Sequence, residues 1–132
     1  MEGSIVSVEI GMKGRAEAVV TDGDTAQAMG SGSLPVLATP RMAALMERAA
    51  VNAVQSVLIP GSTTVGTRLD VTHDAATPVG MKVEAWAEVT AVEGRKITFA
   101  VSACDGRGRI GGGAHERFIV EADRFLAKAQ SK

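Results

Sequence analysis

The chain has 132 residues, 45% of them apolar and 22% charged, with a formal net charge of −1; that suffices for one domain over residues 1–132 and is too short for two. Its scattered basic residues leave no electrostatic footprint for nucleic acid or an anionic membrane surface. No apolar run approaches the ~20 residues that cross a bilayer, and Met1-Glu2-Gly3-Ser4 lacks the basic start and apolar stretch of a signal peptide. The single cysteine, Cys104, cannot form an internal disulfide, and these features together point to the cytoplasm. The two histidines, His73 and His115, lack metal-ligand spacing. The triplet Gly111-Gly112-Gly113 lacks the strand-to-helix setting of a phosphate loop and reads as a bulge or close backbone approach. Chemistry is therefore expected from side chains alone, with no cofactor and no metal.

Residues 15–21 read as a first strand, and residues 22–38, rich in Gly, Ser and Ala, as a loop with one short helix. Thr39-Pro40 opens a long helix, with Thr39 suited to the N-cap and Pro40 to the first helical position. It runs uninterrupted to about Leu58, and Pro60-Gly61 stops it. Strands are expected over Thr63–His73, Met81–Val92, Lys96–Cys104 and about Ile110–Val120, with turns at Glu93-Gly94 and Asp105-Gly106. Residues 121–130 suit a short surface helix. One long apolar helix among five strands is buried only if a curved antiparallel sheet wraps around it, which gives an α+β domain with the helix as core. That arrangement is the hotdog fold.

Two polar residues fall where apolar ones are expected. On a helical wheel, Arg41, Arg48, Asn52, Gln55 and Ser56 form a polar face, while Glu47 lies about 120° from its centre among Ala43, Val51, Val54 and Leu58. A carboxylate there should be buried or nearly so. In the next strand, Val65, Thr67, Leu69, Val71 and His73 share the apolar face, so strict alternation points His73 inward. Each has a quieter reading: Glu47 as a half-exposed or ion-paired residue, His73 as a satisfied strand end, Thr39 as an N-cap. An acid and a histidine on the interior side of adjacent elements are nevertheless the usual parts of an acid–base or nucleophilic site. Cys104 reads as a packing residue, His115 as structural or interfacial, and Arg41 and Arg48 as a solvated face.

The same residues carry a family resemblance. The stretch 38–50 (Ala-Thr-Pro-Arg-Met-Ala-Ala-Leu-Met-Glu-Arg-Ala-Ala) resembles the central helix of the fluoroacetyl-CoA thioesterase group of hotdog proteins. Val65-Gly66-Thr67 through His73, the turn Ala75–Gly80, Val92–Arg95 and Gly113–Arg117 continue the likeness, which covers about residues 36–127. The resemblance implies a dimeric thioesterase acting on short acyl-CoA esters. By position it implies catalytic roles for Thr39, Glu47 and His73. It also implies that the backbone of Gly66 lies near the thioester carbonyl and that Arg117 lies near the substrate. Thioester hydrolysis needs a nucleophile, a proton donor for the thiolate and donors for the oxyanion, and these residue types supply them. Glu47 suits either attack on the carbonyl or activation of water, with His73 moving the proton.

One departure bears on selectivity. Fluoroacetyl-selective members carry aromatic residues in a lid before the threonine, whereas residues 29–36 contain none; the aromatics are Trp86, Phe99, Phe118 and Phe125. A more open acyl pocket and a broader acyl-CoA hydrolase are expected. Hydratases of the same fold place an Asp and a His close together before or on the central helix, and no His precedes His73. A non-catalytic acyl-CoA binding or sensing module is the rival from another class. A free sheet edge gives the dimer its physical support.

Overall fold

The structure, a computed structural model, describes residues 8–132. Its elements are β1 (Lys13–Val19), a 3-10 turn (Asp22–Asp24), α1 (Ala26–Met29), α2 (Thr39–Val54), a second 3-10 turn (Gln55–Val57), β2 (Ser62–His73), β3 (Lys82–Glu93), β4 (Lys96–Asp105), β5 (Gly108–Glu121) and α3 (Ala122–Gln130). The five strands form one antiparallel sheet in the order β1-β3-β4-β5-β2. It curls around α2, as the sequence leads one to expect. Among the described residues no helix is long and apolar enough to cross a membrane.

The apolar stripe of α2, Met42, Leu45, Met46, Ala49, Ala50, Ala53 and Val54, is buried. It meets Val83, Ala85, Ala87 and Val89 of β3 and Ile97, Phe99, Val101 and Ala103 of β4, each set spaced by two along its strand. The alanines let the helix press against β1, where a Cβ on Gly14 would overlap the Ala49 carbonyl and the Ala53 backbone. Arg41, expected on a solvated face, instead donates from Nε to Asp24 Oδ1 at 2.9 Å and ties the first 3-10 turn to α2. The Thr21 backbone N–H, with the Thr21 hydroxyl and Arg41, holds the Asp24 carboxyl below its usual range.

Strand β2 departs from simple alternation. Gly66 pairs with Arg117 and Arg68 with Glu116, so Thr67 is an extra residue with no opposite number on β5. Before this bulge Thr64 and Gly66 face the helix; after it Leu69 and His73 do, opposite the inward His115 and Gly111. The expected inward set was therefore right for Leu69, Val71 and His73 and wrong for Val65 and Thr67. Strand β2 lies at one end of the sheet, and its outer edge has no strand neighbour among the described residues.

Candidate active site

At the start of α2 the helix N-cap is Ala38, whose extended backbone precedes the first turn, and Thr39 is already helical. The Thr39 side chain caps nothing. Its Oγ1 lies 2.7 Å from His73 Nδ1, joining the first turn of α2 to the last residue of β2. The other ring nitrogen, His73 Nε2, is buried with no hydrogen-bond partner among the described residues. A buried ring nitrogen without a partner costs about 1–3 kcal/mol, and such groups concentrate where a protein does chemistry. Beside the pair is a cleft of about 230 Å³ lined by Ala26, Ser31, Val36, Leu37, Ala75 and Ala76, all lacking aromatic rings.

Two turns further along α2, Glu47 projects over β2 and β5. Its carboxylate is not buried as the wheel suggests: the side chain is 42% exposed, and Oε2 lies 3.6 Å from Arg117 Nη1. Gly66 makes room for it, because a Cβ there would stand 2.6 Å from Glu47 Oε2. Arg117 itself is buried at 7% exposure. It donates from Nε to Thr64 Oγ1 at 2.8 Å, from Nη2 to the Thr64 carbonyl at 2.9 Å, and from Nη1 to His115 Nε2 at 3.1 Å. Burial disfavours the Arg117 charge and the Glu47 carboxylate favours it.

His115 completes this cluster. It is buried at 1% exposure and packs on the Phe99 ring at 6.0 Å between centroids. Its Nδ1 is 2.7 Å from the Arg68 carbonyl, which only accepts, while its Nε2 faces an arginine, which only donates. The ring is therefore neutral with its proton on Nδ1. Burial holds its pKa below the usual histidine value, against the Arg68 carbonyl and with the Arg117 charge. The residue expected to be structural or interfacial is thus internal, and it fixes one end of Arg117. A signal for it existed in the sequence: His115, Arg117 and Ile119 alternate onto the inward face of β5.

The structure joins Thr39 to His73, and Glu47 to Gly66 and Arg117, as two separate groups. Thr39 and Glu47 are eight residues apart, about 12 Å along the helix axis, and Thr39 therefore does not orient Glu47 within its own chain. Gly66 and His73 are separated by about 20 Å of strand. Among the described residues no group of three or more His, Cys, Asp or Glu is placed to hold a metal.

A curled five-stranded antiparallel sheet around one helix, carrying these two groups, defines a hotdog protein of the thioesterase type. Residues 20–123 match the family described as fluoroacetyl-CoA-specific thioesterase. A fluoroacetyl-CoA thioesterase from Streptantibioticus cattleyicolor is 46% identical over 97 residues, covering 74% of this chain and 70% of its own length. A solved structure of the fluoroacetyl-CoA thioesterase FlK superposes with a TM-score of 0.89 at 38% identity, covering 96% of this chain and 98% of that one. A thioesterase superfamily member from Thermus thermophilus superposes at 0.86 with 28% identity, covering 94% of this chain and 92% of its own. The chain belongs to the fluoroacetyl-CoA-specific thioesterase family.

Proposed function

We propose that the chain is an acyl-CoA thioesterase whose centre is assembled from two copies, Thr39 and His73 coming from one and Glu47, Gly66 and Arg117 from the other. Family membership carries the hydrolysis of acyl-CoA thioesters. The observation that carries the assembly is the in-chain distance between the Thr39–His73 pair and Glu47. The outer edge of β2 supports it: an antiparallel two-fold pairing of these edges sets the start of one strand beside the end of the other. That brings the Gly66 region of one copy toward His73 of its partner. The same pairing covers an edge that would otherwise invite aggregation.

In this centre the thioester carbonyl sits by the Thr39–His73 pair, with the acyl group in the small-residue cleft. Glu47, 3.6 Å from Arg117, either attacks the carbonyl to give an anhydride that water then hydrolyses, or takes a proton from a water that attacks the carbonyl directly and yields the free acid. His73 delivers a proton to the departing thiolate through Nε2, the ring being steadied at Nδ1 by Thr39. The lone free cysteine, Cys104, suits a cytoplasmic setting. Thiol release from acetyl-CoA and longer acyl-CoAs tests the reading. Glu47→Gln and His73→Ala should each lower kcat by about 10²–10⁴. Binding of acyl-CoA without turnover by the unaltered chain would instead make it a sensing module.

A further inference from the structure

The first turn of α2 carries Thr39, and much of what holds that turn comes from outside the helix. The N-cap residue, Ala38, has no side-chain oxygen to bond the first N–H groups. Asp24, in the first 3-10 turn, reaches the same place. Its backbone carbonyl accepts the Ala38 N–H at 2.9 Å, and its Oδ1 accepts the Arg41 Nε–H at 2.9 Å. The Ala38 carbonyl in turn accepts the Arg41 backbone N–H at 3.0 Å. These bonds close a ring, from Asp24 to Ala38 to Arg41 and back, and the residues it encloses are Thr39 and Pro40. Pro40 adds a fixed φ inside the ring. The second carboxylate oxygen of Asp24 is tied down as well, Oδ2 accepting the Thr21 N–H and the Thr21 hydroxyl, each at 2.8 Å.

This ring sits where packing does not reach. The buried stripe of α2 starts at Met42, whereas Thr39 and Pro40 are exposed and Arg41 is half-buried. Packing therefore fixes the body of the helix, and the ring fixes the turn ahead of it. The side chains of Asp24 and Arg41 are 18% and 32% exposed, so solvent screens this pair less than an ordinary surface pair. Thr39 in turn depends on its place. Its Oγ1 lies 2.7 Å from His73 Nδ1, and the opposite ring nitrogen is the buried one without a hydrogen-bond partner among the described residues. A displacement of about 1 Å in a reacting group costs on the order of 10²-fold in rate. We infer that Asp24 and Arg41 are positioning residues of the active site, acting through Thr39 to hold the His73 ring in place. The inference rests on the thioesterase reading above.

The test is a double-substitution cycle on acetyl-CoA turnover, with the ring nitrogens of the two histidines, His73 and His115, followed by NMR in the same isotope-labelled chains. Arg41→Ala should lower kcat by about tenfold, and Arg41→Lys, which keeps a cation for Asp24, should recover most of it. Asp24→Asn, which keeps the shape and an acceptor for the Thr21 N–H, should act in the same direction as Arg41→Ala with less strain on the fold. In a Thr39→Val background, Arg41→Ala should change kcat by less than about twofold, because the contact it acts through is already gone. The His73 signals should shift in Arg41→Ala and Asp24→Asn while those of His115 stay; a general loosening of the fold would move both. Equal losses with and without the Thr39 hydroxyl, or unmoved His73 signals in both variants, overturn the inference and leave the thioesterase reading standing. No turnover of any acyl-CoA by the unaltered chain removes the thioesterase reading, and the His73 signals then decide the positioning role alone.

Discussion

His115 Nε2 lies 3.1 Å from Arg117 Nη1, and the Arg68 carbonyl on the far side of the ring leaves one place for the imidazole proton. A protonated ring would set two cations against each other in a buried space. The remaining charged neighbours, Glu47 on α2 and Glu116 on β5, act in the opposite sense, and burial prevails. Because the folded pKa is lowered, the unfolded chain binds the proton more readily, so stability should fall as pH drops below the ordinary histidine value of about 6.5. His115→Gln, which keeps a donor for Arg68 and an acceptor for Arg117, should flatten this decline. Melting temperatures measured from pH 8 to 5 check it, and an unchanged slope in the variant would show that another group titrates.

The same contact bears on activity. His115→Leu removes the acceptor for Arg117 and the donor for Arg68, at about 1–3 kcal/mol for each group left unpaired. With Arg117 loosened, Glu47 loses the cation that lies 3.6 Å from its carboxylate and with it a fixed position over Gly66. Turnover should fall in His115→Leu and recover in His115→Gln. A variant that loses stability but keeps its turnover would make His115 a packing residue only.

Gly66→Ala separates fit from function. The added methyl would meet the end of the Glu47 side chain at 2.6 Å, and Arg117 Nη1 and His115 at 3.2 and 3.3 Å. Glu47 is half-exposed and can swing aside, so the melting temperature should change little. Turnover should nevertheless fall by about 10²-fold as the carboxylate leaves its position. A variant that keeps full turnover would take Glu47 out of the reaction.

Mixing two inactive proteins tests the shared centre. If Thr39–His73 and Glu47 act across copies, a mixed dimer of Glu47→Gln and His73→Ala contains one intact centre. Co-refolded in equal amounts, the pair should regain about a quarter of wild-type activity. If each chain holds its own complete centre, no activity returns.

The cleft beside Thr39 predicts tolerance of acyl length. Ala26, Ser31, Ala75 and Ala76 leave it open, so the added methylenes from acetyl- to hexanoyl-CoA meet no wall, and kcat/KM should change per methylene by much less than the roughly 10–200-fold that a closed pocket exacts. Val36→Phe should narrow it and penalise the longer chains first. A strict preference for fluoroacetyl-CoA in the unaltered chain would refute the open-pocket reading.

How far the sequence carried each feature depended on the range of the physics involved. The strands β3 and β4 were legible because their apolar residues repeat every second position, and those residues are the ones buried. The long helix was legible from Pro40 to the 3-10 turn that ends it, because its apolar stripe and its breakers are local. Thr39 was misjudged as a cap since its partner, His73, is 34 residues away. Glu47 was placed too deep because a wheel describes the helix alone, and the sheet packs chiefly on the side carrying Ala49 and Ala53. The Arg117–Thr64 contact joins residues 53 apart and has no local signature at all.

Thr67 gives β2 an odd number of steps where an even count would otherwise run. The parity change lets one strand present both Gly66 and His73 to the same side, although they stand seven positions apart. Deleting Thr67 would leave six steps of plain alternation with both still on that side, whereas deleting a residue beyond the bulge would turn His73 away and bring Thr72's side inward. This strand is therefore tolerant of losing its bulge residue but intolerant of a change in length elsewhere.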